Sequence, residues 1–186
     1  ALDITSRMQK AKKIELLLDL NKEFGPLRLL EVGCGSGGIC HYFGTHSSGR
    51  YEVHAVDVKD SRTIFDGFTF KIITDTLLPY PDAVFDVVIS NHVIEHVGDA
   101  AAQLQHLQEM RRVLKPGGIG YLAVPNRWML VEPHYRLASL SWLPVGWRSP
   151  YLRLFRDAEY YDCRPLEMRE AEKMLEDAGF IFHNRC

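Results

Sequence analysis

The chain has 186 residues, 46% hydrophobic and 25% charged, with a formal net charge of −2. That length suits one domain with a real core. The near-neutral balance excludes nucleic-acid binding through a broad basic field, and no apolar run is long enough to cross a bilayer.

In chain order, Ile14, Leu17, Leu18 and Leu20 predict an amphipathic helix over about 7–24. Gly25-Pro26 stops it, so 1–26 reads as an N-terminal helical segment. Strands are expected at 27–32, 51–56, 68–73, 84–90 and 118–124, and helices at 36–45, 99–114 and 167–178. KPGG is read as the stop of the 99–114 helix, and 180–183 as the start of one more strand. Apolar strands alternating with helices imply an α/β fold: a doubly wound, mostly parallel sheet with helices on both faces. In such a sheet ligands bind beyond the carboxyl ends of the strands. One domain over 1–186 is expected.

The polar residues fall at those ends. After the first strand, Gly33, Gly35, Gly37 and Gly38 crowd into six residues, permitting a tight turn and a close ligand. Gly33-x-Gly35-x-x-Gly38 with Asp57 about twenty residues on also fits a dinucleotide fingerprint, so the glycines alone leave NAD and other adenosine cofactors open. Asp57 is placed to accept from ribose hydroxyls, and Asp75 from an adenine amine or in a local turn. Glu31 ends a buried strand, where an unpaired carboxylate is costly and a cationic ligand would relieve it.

LLEVGCGSGG, VHAVD, DTLLPYPDAVFDVVISNHVIEHV and EMRRVLKPGGIGYLAVPN resemble, in order, successive motifs of class I S-adenosylmethionine-dependent methyltransferases of the small-molecule type 11 branch. The resemblance runs from about Leu27 to Asn126 and implies a Rossmann-like methyltransferase fold with S-adenosyl-L-methionine as cofactor. It places Glu31, Gly33, Gly35 and Gly37 around the methionine end, Asp57 at the ribose, and Val58 beside the adenine. Asp75 and Thr76 match the adenine-amine contact, Asn91 the methionine amino group, and His96 the signature histidine, read as structural. A sulfonium cofactor has no pyrophosphate, consistent with a glycine loop that carries no Arg or Lys.

A base is needed only if the acceptor must lose a proton, and the candidates are His92, after the fourth strand, and His134, after the fifth. Residues 126–160 are read as a substrate-side insertion or lid, with Arg127, Glu132, Tyr135 and Arg136 as acceptor contacts. All three Trp fall there. Two other readings stay open: a helical insertion packed on the sheet, and an interface with another subunit or, through 137–147, a membrane surface. The phrase NRW…EPHYRL…LSWLP is similar to methyltransferases of surface-glycan pathways, which implies a small-molecule, glycan-linked or lipid-linked acceptor.

Cys34, Cys40, Cys163 and Cys186 form no CxxC pair, so reduced thiols in a cytoplasmic protein are expected, with Cys34 a packing residue. No residue cluster has metal-ligand spacing, and no metal is expected. The chain opens without Met or an apolar signal core, and it stops at FIFHNRC, one strand short of the class pattern. A truncated chain, or an edge completed by a partner, is therefore expected. The rival functions are an NAD-dependent oxidoreductase and a non-catalytic S-adenosylmethionine-binding protein.

Overall fold

Short apolar runs bounded by glycine or acid pair into one sheet in a computed structural model that describes residues 4–20, 26–46, 49–125, 127–132, 135, 137–156, 160–161 and 163–185. The strands are β1 (Leu27–Val32), β2 (Tyr51–Asp57), β3 (Thr69–Ile72), β4 (Phe85–Asn91) and β5 (Leu114–Ala123), in the order β3-β2-β1-β4-β5. β1 pairs in parallel with β2 and with β4, and β2 in parallel with β3. The order reverses between β1 and β4, so the loops leaving these two strands open at the switch point where such sheets bind ligands.

The chain forms two compact units, Ala1–Asn91 with Gln108–Leu122, and His92–Leu107 with Ala123–Cys186. The first unit holds the sheet, with α1 (Ile4–Leu17) and α2 (Gly38–Thr45). Ala11 and Ile14 of α1 and Ile39, Cys40 and Phe43 of α2 join Leu29, Val53, Ala55, Val87 and Ile89 in one core. On the alternate strand positions Leu30, Val32, Val56 and Val88 are buried too, so both sheet faces are covered. α3 (Ala100–Val113) runs from the second unit into the first. Asp99 caps it, as the sequence implies, accepting from the Ala102 N–H at 2.9 Å.

The second unit carries a short 3-10 helix (Ile94–His96), the antiparallel pair β6 (Val131–Glu132) and β7 (Leu137–Ala138), a second 3-10 turn (Leu140–Trp142), α4 (Val145–Phe155) and α5 (Met168–Asp177). Gly179, at φ 82°, ends α5 as expected.

Three expectations change. α1 ends at Leu17 rather than near residue 24, because Asp19 enters the left-handed region (φ 55°) and breaks the helical ladder; residues 21–25 lie outside the described ones. KPGG is the start of β5, not a helix stop; β5 is an edge strand among the described residues, where Pro116 interrupts no ladder on its outer side. Phe180–His183 is not a strand, since it has no neighbouring strand among the described residues, and Ile181 is 96% exposed.

Gly44 in α2 faces the backbone of Gly67: a Cβ added there would fall 1.8 Å from the Gly67 carbonyl oxygen. Alanine ordinarily stabilises a helix interior by roughly 0.5–1 kcal/mol over glycine. Here we predict that Gly44→Ala instead costs about 1–3 kcal/mol through overpacking. A urea midpoint that stays level or rises would show that the Gly67 turn yields freely.

Candidate active site

The end of β1 must turn sharply while leaving its backbone open. Gly33, Gly35 and Gly37 make that turn at φ 77°, 53° and 84°. Gly37 also has no room for a side chain, since a Cβ would meet the Ile64 carbonyl oxygen at 2.8 Å and the Phe68 ring at 2.9 Å. The Gly33 N–H donates to the Val56 carbonyl (2.8 Å), and the Gly35 N–H to Asp57 Oδ2 (2.9 Å). The Thr63 N–H donates to the Ser36 carbonyl (3.0 Å), so the loops after β1 and β2 form one surface.

Glu31 is fully buried at the end of β1. The Cys40 thiol of α2 donates to its Oε2 at 2.7 Å, whereas Oε1 has no hydrogen-bond partner among the described residues. Burial pushes the Glu31 carboxyl up to about 7; the Cys40 hydrogen bond and then the charge of Arg7 oppose that shift, and Asp57 adds to it. Asn91 ends β4, and strand register puts it on the same sheet face as Glu31. Asn91 Oδ1 and Ser36 Oγ are likewise buried with no partner among the described residues. These three atoms lie at the strand ends and turn where sheets of this kind bind ligands, and each would be satisfied by a polar ligand.

Arg7, Ser36 and Cys40 were not singled out from the sequence as site residues. Arg7 of α1 lies over the turn, its Nη2 3.9 Å from where a Gly35 Cβ would stand. Its i, i+4, i+7 spacing to the buried Ala11 and Ile14 was the signal that could have placed it on the inward face of the helix. A cation and a buried acid at one turn suit the carboxylate and ammonium of an amino acid better than a diphosphate.

The remaining sequence-predicted cofactor residues lie farther along the strand ends. Asp57 is half-buried, and Val58 beside it is exposed, an apolar platform at the tip of β2. The Ile73 N–H donates to the Asp57 carbonyl at 3.0 Å, tying the segment after β3 to β2. Asp75 is exposed and accepts from the Leu77 N–H (2.8 Å), the local-turn alternative, with Thr76 half-buried between them.

In the second unit, His92 sits at φ 57°, a region that side chains other than glycine rarely occupy, and its N–H donates to the Ala123 carbonyl at 2.9 Å. Its Nδ1 is 3.6 Å from Oε1 of Glu95, whose side chain is wholly buried. His106 is buried as well; burial pulls its imidazole down to about 4, against the opposing charge of Glu95. The Glu95 turn is fixed from behind: the Arg164 N–H donates to the Glu95 carbonyl (2.7 Å), and Gln103 Nε2 to the Ile94 carbonyl (2.9 Å). His96 Nδ1 meets Cys163 Sγ at 3.6 Å, in keeping with a structural tie.

Of the expected acceptor contacts, Arg127 donates to Glu167 Oε1 (2.8 Å) and lies over the Trp128 ring. Tyr135 packs against Tyr161, and its carbonyl accepts from Arg156 Nε (2.9 Å). Glu132 lies in β6, with its side chain outside the described portion; His134 and Arg136 lie outside the described residues altogether.

With this geometry in hand, the family described as "Methyltransferase domain" matches residues 30–122, half of the chain. A ubiquinone biosynthesis O-methyltransferase of Chelativorans sp. is 28% identical over 88% of this chain and 62% of that protein. A probable S-adenosylmethionine-dependent methyltransferase of Mycolicibacterium smegmatis is 50% identical over 55% of this chain and 31% of that one. The chain thus spans about three-fifths or less of the length of these curated relatives. A solved S-adenosylmethionine-dependent methyltransferase from Methanosarcina mazei shares the fold at TM-score 0.62 and 21% identity, covering 87% of this chain and 82% of that one.

Glu31 makes the site pH-dependent. The folded carboxyl titrates near 7 against an ordinary value of 4.5, so the ligand-free chain takes up a proton on folding between those values. Its stability therefore falls as pH rises through that window. A ligand ammonium favours the ionised carboxylate, so S-adenosylhomocysteine affinity should rise about tenfold from about pH 6 to about pH 8, and Glu31→Gln should flatten that slope. Calorimetric titrations with the same slope in both proteins would remove Glu31 from the ligand.

Proposed function

Because the chain belongs to the family of class I S-adenosylmethionine-dependent methyltransferases, we propose that it transfers a methyl group from that cofactor to an oxygen of a small acceptor, free or linked to a glycan or lipid. The observation that carries this reading is the charge pattern at the glycine turn: Arg7 above it, and the buried Glu31 carboxylate with one oxygen unpartnered. Arg7 alone would suit a carboxylate or a diphosphate, but the buried Glu31 carboxylate suits the ammonium of the methionine end and would repel an NAD diphosphate. Cys34, Cys40 and Cys163 are buried thiols outside any disulfide, which supports a reducing, cytoplasmic setting.

In this reading Arg7 holds the cofactor carboxylate, and Glu31 and Asn91 hold its amino group. Asp57 accepts from the ribose, and Val58, Asp75 and Thr76 border the adenine. The cofactor supplies a methyl group on a positively charged sulfur, a leaving group that needs no further activation. The chain's own work is to align the acceptor, exclude water and take one proton.

The oxygen assignment draws on the His92–Glu95 pair and on the name of the O-methyltransferase relatives. A hydroxyl acceptor needs a base, and His92 is a histidine one peptide bond from Asn91, with a buried carboxylate 3.6 Å from its Nδ1. Glu95 orients the ring and stabilises the imidazolium after proton uptake, leaving Nε2 to face the acceptor. His134 is the second candidate base, and Arg127, Glu132, Tyr135 and Arg136 remain the proposed acceptor contacts. No nucleic-acid acceptor is proposed.

A labelled-methyl assay against phenolic, glycan-linked and lipid-linked hydroxyl acceptors tests the reading. His92→Gln should lower kcat about 10²-fold while leaving S-adenosylhomocysteine affinity unchanged. Asp57→Ala should do the converse, weakening the cofactor by about 1–3 kcal/mol. If His92→Gln turns over at the original rate, the base lies elsewhere. If tight cofactor binding never yields methyl transfer, the chain is a cofactor-binding protein.

A further inference from the structure

α2 begins directly at the glycine turn, where the His41 N–H donates to the Gly37 carbonyl (2.9 Å). Cys40 is the third residue of the helix, wholly buried in the core with Ile39, Phe43, Leu29 and Ala55. Gly38, two residues before it, lets α1 close on α2, since a Cβ there would meet Arg7 Cβ at 2.7 Å. Cys40 from one helix and Arg7 from the other therefore act on the same group, the carboxylate of Glu31.

The Cys40 thiol donates to Glu31 Oε2 at 2.7 Å, and both side chains are wholly buried. A thiol behaves as a small hydrophobe with one weak donor, so it packs in an apolar core and still makes this hydrogen bond. Burial, and next the charge of Glu31, pushes the Cys40 thiol well above its usual range, so it keeps its proton and remains a donor. The other ionisable groups that act on the pair are Arg7 of α1, Cys34 in the turn, Asp57 at the end of β2 and Tyr80 before β4. Of these, Arg7 favours the ionised carboxylate and Asp57 opposes it. Glu31 Oε1 has no hydrogen-bond partner among the described residues, so the thiol has already divided the two oxygens into one that is held and one that is not.

We propose that Cys40 is a positioning residue for the cofactor: its thiol holds Glu31 by Oε2, and Oε1 is thereby the oxygen left for the cofactor's amino group. This role rests on the cofactor reading of the same site. A carboxylate fixed before the ligand arrives has less rotamer freedom to lose when it binds. The strength of the donor matters as much as its place. A strong donor at Oε2 would keep the carboxylate ionised with no ligand present, whereas the weak thiol leaves most of that stabilisation to the ammonium.

Carbon-13 NMR of the ligand-free chain reads the Glu31 carboxyl, assigned by its loss in Glu31→Gln. Cys40→Ala removes a donor that favours the ionised form, so the Glu31 midpoint should rise by about half a pH unit or more. Cys40→Ser keeps a donor and should hold the midpoint at or below its original place. Calorimetry should follow: Cys40→Ala should weaken S-adenosylhomocysteine roughly fivefold at about pH 7, and Cys40→Ser should recover most of that loss. A packing role alone would lower the thermal stability of both variants and leave the titration in place. The proposal is overturned if Cys40→Ala leaves the Glu31 midpoint unmoved, or if Cys40→Ser raises it equally far. It is also overturned if both variants bind S-adenosylhomocysteine with the original affinity and pH profile while the unaltered chain binds it well. An unaltered chain that binds no S-adenosylhomocysteine at any pH overturns the cofactor reading, and this role with it.

Discussion

A carboxylate at the buried end of a central strand is the constraint on which the first unit turns. β1 has a partner on each side, so its backbone is committed, and Glu31 sits where water cannot solvate a charge. The thiol of Cys40 and the charge of Arg7 offset only part of that cost, and one carboxylate oxygen stays unpartnered among the described residues. An apolar residue at this position would stabilise the free protein better. Under the proposed function a ligand ammonium would complete the set, and the glycines would let that ligand reach the strand end.

The same device recurs in the second unit with a different result. Glu95 is also wholly buried, but it faces imidazoles instead of an open turn: His92, and the buried His106, which is held neutral near physiological pH. Glu31 borders the glycine turn with one oxygen unpartnered among the described residues, whereas Glu95 has an imidazole 3.6 Å from its carboxylate. The two carboxylates have similar burial and different neighbours.

How legible this was depended on how local the cause was. β1, β2 and β4 were readable from their short apolar runs, near-continuous in β4 and broken by Glu52 and His54 in β2, and their ends were marked by Glu31, Asp57 and Asn91. The caps Asp99 and Gly179 were readable because capping is a matter of one or two residues. Asp19 in a left-handed turn and KPGG as the start of a strand were not, because each local signal yields to the surrounding packing. Arg7 and Cys40 reach Glu31 from helices on either side of it in sequence, and only the packing of α1 and α2 brings them there. In 126–160 the pattern gave apolar and arginine-rich stretches without saying which sides were inward, and the pairing of Arg127 with Glu167, forty residues on, has no local signal.

Where the chain leaves a buried strand it must make a tight turn, and it does so in two ways. After β1 it uses glycine at φ 77°, 53° and 84°, alternating with Cys34 and Ser36. After β4 it keeps a histidine at φ 57°, where glycine would relieve the strain. Backbone held in a sparsely populated region persists only when its surroundings enforce it, here the Ala123 carbonyl that accepts the His92 N–H and the tied Glu95 turn. At Gly37 a Cβ would meet the Ile64 carbonyl oxygen at 2.8 Å, so the turn closes only with glycine there. At the second the side chain is retained in spite of the strain, with the buried Glu95 carboxylate 3.6 Å from its ring.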